Sequence, residues 1–290
     1  MYIWEKRSWE WSTFEQAKAN VLSPSYKSSA LLNPYNWPPD QLGGFGRFLK
    51  ELERHQDRIS AFPRTTVPTV GIFHSQVSSA MARYGRPIKS PMLRAHSALM
   101  HAFYPVTFVF DDEIVGGNLP EGIRTIVVPA ADFEREEVRA ALERFTAGGG
   151  NVVMDKNAFS FDEHGRKTGH GVVGAQVYDA ETISAAELLD CVRRLGVRKV
   201  AELVPVDGGG ALDGADVQVI DRGDFKLVLI VNLVGAREPR RVKFSLPGTD
   251  GAGYAVLDGL TGETIADDFG TGVELTIPPQ ERLLLELRKL

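Results

Sequence analysis

The sequence predicts an α/β domain built on an open, mostly parallel sheet, followed by an all-β antiparallel sandwich domain. Three observations carry this. Over residues 66–205, short continuous apolar runs alternate with amphipathic segments of helical period. Over residues 214–290, the pattern becomes short alternating segments punctuated by glycine-rich turns. Between the two lies "VDGGGALDGAD" (206–216), a Gly/Asp linker.

Residues 1–65 come first and are aromatic and irregular, with Trp4, Trp9, Trp11, Phe14, Tyr26, Tyr35 and Trp37. "SSALLNPYNWPPD" reads as a strand running into a proline-rich loop. "QLGGFGRFLKELERHQDRI" reads as a helix with Phe45, Phe48, Leu49 and Leu52 on one face. The segment is too short for a core of its own, so it must pack on the rest of the chain or on a partner. Tyr35 and Trp37, in "NPYNWPP", are candidates for stacking on sugar rings, weighed against aromatics that simply fill a gap beside a sheet.

In the α/β region, "TVGIF" (69–73), "PVTFVF" (105–110), "IRTIVVP" (123–129) and "NVVM" (151–154) are the predicted strands. Their continuous apolar character suits strands covered on both faces. "SPMLRAHSALMHAF" is a helix, and "DFEREEVRAALERFTAGGG" is another, with Val138, Ala141, Leu142 and Phe145 as its apolar stripe. Asp132 is the expected N-cap, acids fill the first turn and glycines end the helix. Beyond the linker, "DVQVID", "FKLVLIVNL", "RRVKFSLP", "GYAVLDGL", "GVELTIPP" and "RLLLELRK" read as antiparallel strands.

Composition excludes several functions. The net charge of −5 is spread over interspersed acids and bases, which leaves no basic footprint for nucleic acid. No apolar run approaches the roughly 20 residues that span a membrane. "MYIWEKRSWEW" lacks the apolar core of a signal peptide, so the cytoplasm is the expected location. A single cysteine, Cys191, rules out an internal disulfide and a cysteine-rich zinc site. It falls on a predicted helix and reads as a buried thiol with nothing nearby to stabilise a thiolate.

Ligands of open parallel sheets bind at the carboxyl ends of the strands. Those ends carry His74 and Ser75, then Asp111, Asp112 and Glu113, then Asp132, then Asp155 and Lys156. They form a candidate acid-rich pocket with one imidazole, against which stands the plain reading that Asp caps helices and "DDE" starts a turn. Specific chemistries fail individually. No G-x-S-x-G is present. "GGFGRF" and the glycines at 148–150 do not follow a strand and open a helix, as a phosphate cradle would. His96 and His101 are off the i, i+4 spacing of a helical metal pair, and "DEHGRKTGH", with His164 and His170, suits a solvated hairpin. No metal and no cofactor is expected.

"VGIFHSQ", "TIVVPAADFEREEVRAALERFTAGGGNVVM" and the tail "VELTIPPQERLLLELRK" together resemble the non-catalytic C-terminal half of family forty-two β-galactosidases. The resemblance covers about 66–290, and residues 27–60 look more loosely like the last strand and helix of a glycosidase barrel. It implies a flavodoxin-like, class I amidotransferase-like trimerisation domain followed by a small β-domain. The exit of the strand in "GGGNVVMDK" then carries Asp155 where an amidotransferase carries its nucleophile. Retaining glycosidases need two carboxylates about 5 Å apart. In the resembled family both are glutamates on barrel strands, one of them after an asparagine. This sequence has no Asn-Glu dipeptide, and 65 residues cannot make eight strands, so no catalytic residue is carried over. The expected function is therefore a non-catalytic assembly or accessory protein, a homo-oligomer (a trimer by resemblance) or a chain docking onto a separate glycosidase barrel. The alternatives are a carbohydrate-binding module and a small hydrolase with His74 as base and Asp111 or Asp155 orienting it or binding a metal.

Overall fold

The computed structural model describes residues 50, 53–54, 67–82, 89–168, 171–181, 185–206, 208, 215–232, 239–249, 253–278 and 282–290. The chain divides into two compact units, Met1–Pro63 and Arg64–Leu290, and every element below belongs to the second. Residues 50, 53 and 54 are helical. The rest of the aromatic segment, with Tyr35 and Trp37, lies outside the described residues, as do His170 and most of the 206–216 linker.

Five strands, β1 (Val70–His74), β2 (Val106–Phe110), β3 (Thr125–Val128), β4 (Asn151–Asp155) and β5 (Gln176–Tyr178), form one parallel sheet in the order β2-β1-β3-β4-β5. This is the flavodoxin-like order, whose switch point lies between β1 and β3. Side chains alternate across the pleat, and both faces are covered. Phe73, Ile126, Val128, Val152 and Met154 face α3 (Asp111–Gly116) and α4 (Glu136–Ala147), through Ile114, Val138, Ala141 and Leu142. Val70, Ile72, Val127 and Val153 face α2 (Lys89–His101) and α5 (Ala186–Arg194), through Ala95, Leu99, Leu188 and Val192. The apolar runs of β1–β4 are continuous because each of these strands feeds two cores.

The remaining strands build a sandwich. One sheet has the order β11-β10-β13-β8-β7 and the other β12-β9-β6, all pairs antiparallel. Their ranges are β6 (Glu202–Pro205), β7 (Ala215–Asp221), β8 (Phe225–Asn232), β9 (Arg240–Ser245), β10 (Tyr254–Asp258), β11 (Thr264–Ala266), β12 (Val273–Ile277) and β13 (Arg282–Lys289). Val217, Val228, Ile230, Val256, Leu285 and Leu287 of one sheet enclose a core with Leu203, Val242, Phe244, Leu275 and Ile277 of the other.

The sequence and the structure differ at several elements. β6 lies within 66–205, yet it pairs with β9 in the sandwich. The short strands β5 and β11 and the five-residue α1 (Gln76–Ala80) have too few residues to show a period. "DDE" begins α3 rather than a turn: Glu113 Oε2 accepts the Phe110 N–H at 2.8 Å, and Gly117, at φ 68°, ends the helix. Asp132 is not the N-cap of α4. That position is Arg135, without a side-chain cap bond. Residues 132–134 are instead held against the 161 backbone, with Phe161 N–H donating to Asp132 O at 2.9 Å and Glu134 N–H to Phe161 O at 3.1 Å.

Candidate functional site

The carboxyl ends of β1, β2 and β3 meet at the switch point, where ligands of this sheet type bind. Ser75 follows β1 directly and caps α1, its Oγ accepting the Ser78 N–H at 2.9 Å. The same Oγ donates to Glu134 Oε2 at 2.5 Å, across from the end of β3. Glu134 Oε1 accepts the Arg135 N–H at 2.8 Å. Ser78 Oγ bridges the backbone of Phe133, donating to its carbonyl at 2.6 Å and accepting its N–H at 3.0 Å. Asp111, at the end of β2, accepts the Gln76 N–H at 3.2 Å, and its other oxygen lies 3.7 Å from the Arg135 guanidinium. Three strand ends are thereby tied together through α1.

This cluster is out of water. Ser75 is 0% exposed, Asp111 1% and Glu134 3%. Burial pushes the Glu134 carboxyl up to about 7; it outweighs the Ser75 and Arg135 hydrogen bonds that favour the ionised form, and the nearby Asp111 charge adds to it. Burial also raises Asp111, against the opposing pull of the Gln76 N–H and Arg135. The short Ser75–Glu134 contact cannot act as an activated nucleophile on an external substrate, because the hydroxyl has no accessible surface.

The residues singled out from sequence take separate places. His74 ends β1, with its ring edge-on to Phe110 at 5.5 Å and its buried Nδ1 without a hydrogen-bond partner among the described residues. Asp112 is exposed and lies 3.7 Å from Arg135, which thus gathers Asp111 and Asp112. Asp132 is half-buried and engages residue 161 through its backbone. Asp155, 0% exposed at the end of β4, accepts the Ala180 N–H at 2.9 Å and the Asn157 N–H at 3.1 Å. Lys156 is exposed and pairs with Asp179 at 2.8 Å.

Glu134, Arg135 and Ser78 were not singled out by the sequence. Ser75 carries a signal, a serine directly after a fully apolar strand and three residues before another serine. Glu134 carries none, since it stands among the acids of "DFEREE" and reads as one more first-turn charge. Among the described residues, no group of three or more His, Cys, Asp or Glu side chains is arranged to hold a metal, and no helix is long and apolar enough to cross a membrane. Residues 161–168 form the expected solvated hairpin, with His164 exposed and a Phe161–Lys167 bridge.

An open groove of about 510 Å³ runs beside the edge strand β5 and α5, lined by Val177, Glu187, Asp190, Cys191, Arg193 and Arg194. Cys191 is buried, as expected, but its surroundings are not neutral: an Arg194 guanidinium N–H donates to Sγ at 3.3 Å. The sequence hides this because i, i+3 neighbours on a helix meet only once the side chains are placed.

No protein-family model matches the sequence, and no curated protein matches it. Solved structures do match its fold. A GH42 exo-carrageenase from Bacteroides ovatus is 21% identical, with a TM-score of 0.62 over 83% of this chain and 31% of that one. A GH42 β-galactosidase from G. stearothermophilus is 15% identical, with a TM-score of 0.64 over 90% of this chain and 46% of that one. An α-L-fucosidase from Paenibacillus thiaminolyticus is 10% identical, with a TM-score of 0.54 over 83% and 51%. The chain thus has the fold of a part of these enzymes and spans 31–46% of the length of the GH42 enzymes matched. The resemblance read from the sequence holds at the level of the fold: a flavodoxin-like α/β domain followed by an antiparallel β-sandwich.

Proposed function

We propose that this chain supplies a non-catalytic, assembly-bearing part of a glycoside hydrolase of the GH42 kind. One observation supports this reading above the others. The carboxylates at the strand ends are engaged in holding the backbone: Asp111 receives Gln76 N–H, Glu134 receives Arg135 N–H, and Asp155 receives Ala180 and Asn157 N–H. A glycosidase needs carboxylates that flank an open space large enough for a sugar. These instead stabilise the turns that end the parallel strands, which is what a scaffold requires. The fold shared with an exo-carrageenase, a β-galactosidase and an α-L-fucosidase supports a common structural role rather than a common substrate.

The test has two parts on the purified chain. Light scattering is expected to give a stable oligomer, a trimer in this reading, with a mass three times 31.9 kDa. Nitrophenyl galactosides and fucosides are expected to remain uncleaved. Measurable turnover would remove the non-catalytic half of the proposal. A monomer that also fails to bind a separately supplied GH42 barrel would remove the assembly half.

A further inference from the structure

We propose that Glu134 is a proton-operated clasp that holds the segments after β1 and β3 together in its neutral form and loosens them as the pH rises. The inference goes beyond the assembly role and does not depend on it.

The geometry carries it. Glu134 sits at the switch point, 3% exposed, and touches Ser75 from the α1 side and its own loop through Arg135 N–H. Among the described residues the facing groups are few. From α1 come the neutral Ser75 and Ser78, with the half-buried His74 just before them. From α3 comes Asp111, itself buried, with Asp112 outside it. From its own loop comes Arg135, whose guanidinium faces three other carboxylates, Asp111, Asp112 and Glu137, at 3.6–3.7 Å. An ionised Glu134 is therefore a second buried negative charge near Asp111, and among the described residues one shared cation, Arg135, offsets both.

The neutral form fits the same atoms. Its proton can sit on Oε2 and be donated to Ser75 Oγ at 2.5 Å. The Ser75 hydrogen then turns to the Phe133 carbonyl, 3.4 Å away, while Oγ keeps accepting the Ser78 N–H. All partners stay satisfied, and the site carries one charge fewer.

The direction follows from linkage. Burial holds the Glu134 carboxyl up at about 7 in the folded state, above its ordinary value of 4.5, so the folded state binds the extra proton between those values. The stabilisation is complete below the unfolded value and is lost as pH rises through the folded one.

The experiment compares the full chain with Glu134→Gln, which keeps the neutral shape. Chemical unfolding of the parent is expected to lose roughly a hundredfold in its folding equilibrium between about pH 5 and about pH 8, relative to the variant. NMR of the chain with carbon-13-labelled glutamate carboxyls reads the group directly, whether or not the variant folds. One glutamate titrating near 7, and absent from the variant, is the expected result. Hydrogen exchange at residues 75–80 and 132–136 should rise through neutral pH by more than the intrinsic base dependence. Every glutamate titrating in the ordinary range near about 4.3, or a variant whose pH profile follows that of the parent, would overturn the clasp.

Discussion

Asp155 shows how a residue that looks catalytic can be structural. It stands at the strand exit where a nucleophile would sit, yet both its oxygens accept backbone N–H groups, from Ala180 and Asn157, and it is fully buried. Asp155→Ala leaves those donors unpaired, and the expected cost is about 2–4 kcal/mol in urea unfolding. A variant as stable as the parent would mean that the carboxylate is not kept for structure. Lys156→Ala, next in sequence but exposed and paired with Asp179 at the surface, should leave the unfolding midpoint unchanged. Glu134 makes the complementary point. It is one of four acids in "DFEREE", and its neighbours across the switch point, Ser75 and Asp111, set it apart.

At the level of elements, the three glycines after α4 do different things. Gly148 has an ordinary φ of −77°. Gly149 sits at φ 90°, and a side chain on Gly150 would meet the Phe145 ring at 2.4 Å. Gly148→Ala should therefore be tolerated, while Gly149→Ala should cost about 1–2 kcal/mol through backbone strain. Gly150→Ala should unfold earlier still by thermal melting, because it must displace a ring packed under the helix. Equal melting temperatures for all three would contradict this account. The end of α2 has a different device. Phe103 adopts φ 65° without being glycine, and its ring enters the core of the β-sandwich. Val200 N–H donates to the Phe103 carbonyl at 2.8 Å, so the segment leading into β6 is anchored at the same point. Phe103→Ala should cost about 3–4 kcal/mol, and Phe103→Gly somewhat less, because glycine relieves the strained φ. Denaturant unfolding of the pair measures the difference.

Across the whole molecule, the α/β and β regions belong to one compact unit, Arg64–Leu290, and Phe103, Ala201 and Leu203 carry the core of the sandwich back towards the parallel sheet. Calorimetry should therefore show one cooperative transition for this unit. Two resolved transitions, surviving in Phe103→Ala and in the parent alike, would mean that the regions fold independently. Much of this architecture was readable beforehand. The strands at 70–74, 106–110, 125–128 and 151–155 announce themselves because double burial demands continuous apolar runs, and the sandwich strands because single burial demands alternation. Short elements escaped, since three to five residues hold no period, and β6 was not read as a strand; it pairs with β9 across a stretch of chain that local sequence does not link. The strand-end residues were readable as a set but not as partners. Local sequence decides which residues must leave water and where the chain must turn. It does not decide which buried carboxylate meets a hydroxyl from a loop 59 residues away, as Glu134 meets Ser75. That pairing, and the raised proton affinity that comes with it, arises from desolvation and proximity, which exist only once the parallel sheet has brought the ends of β1 and β3 side by side.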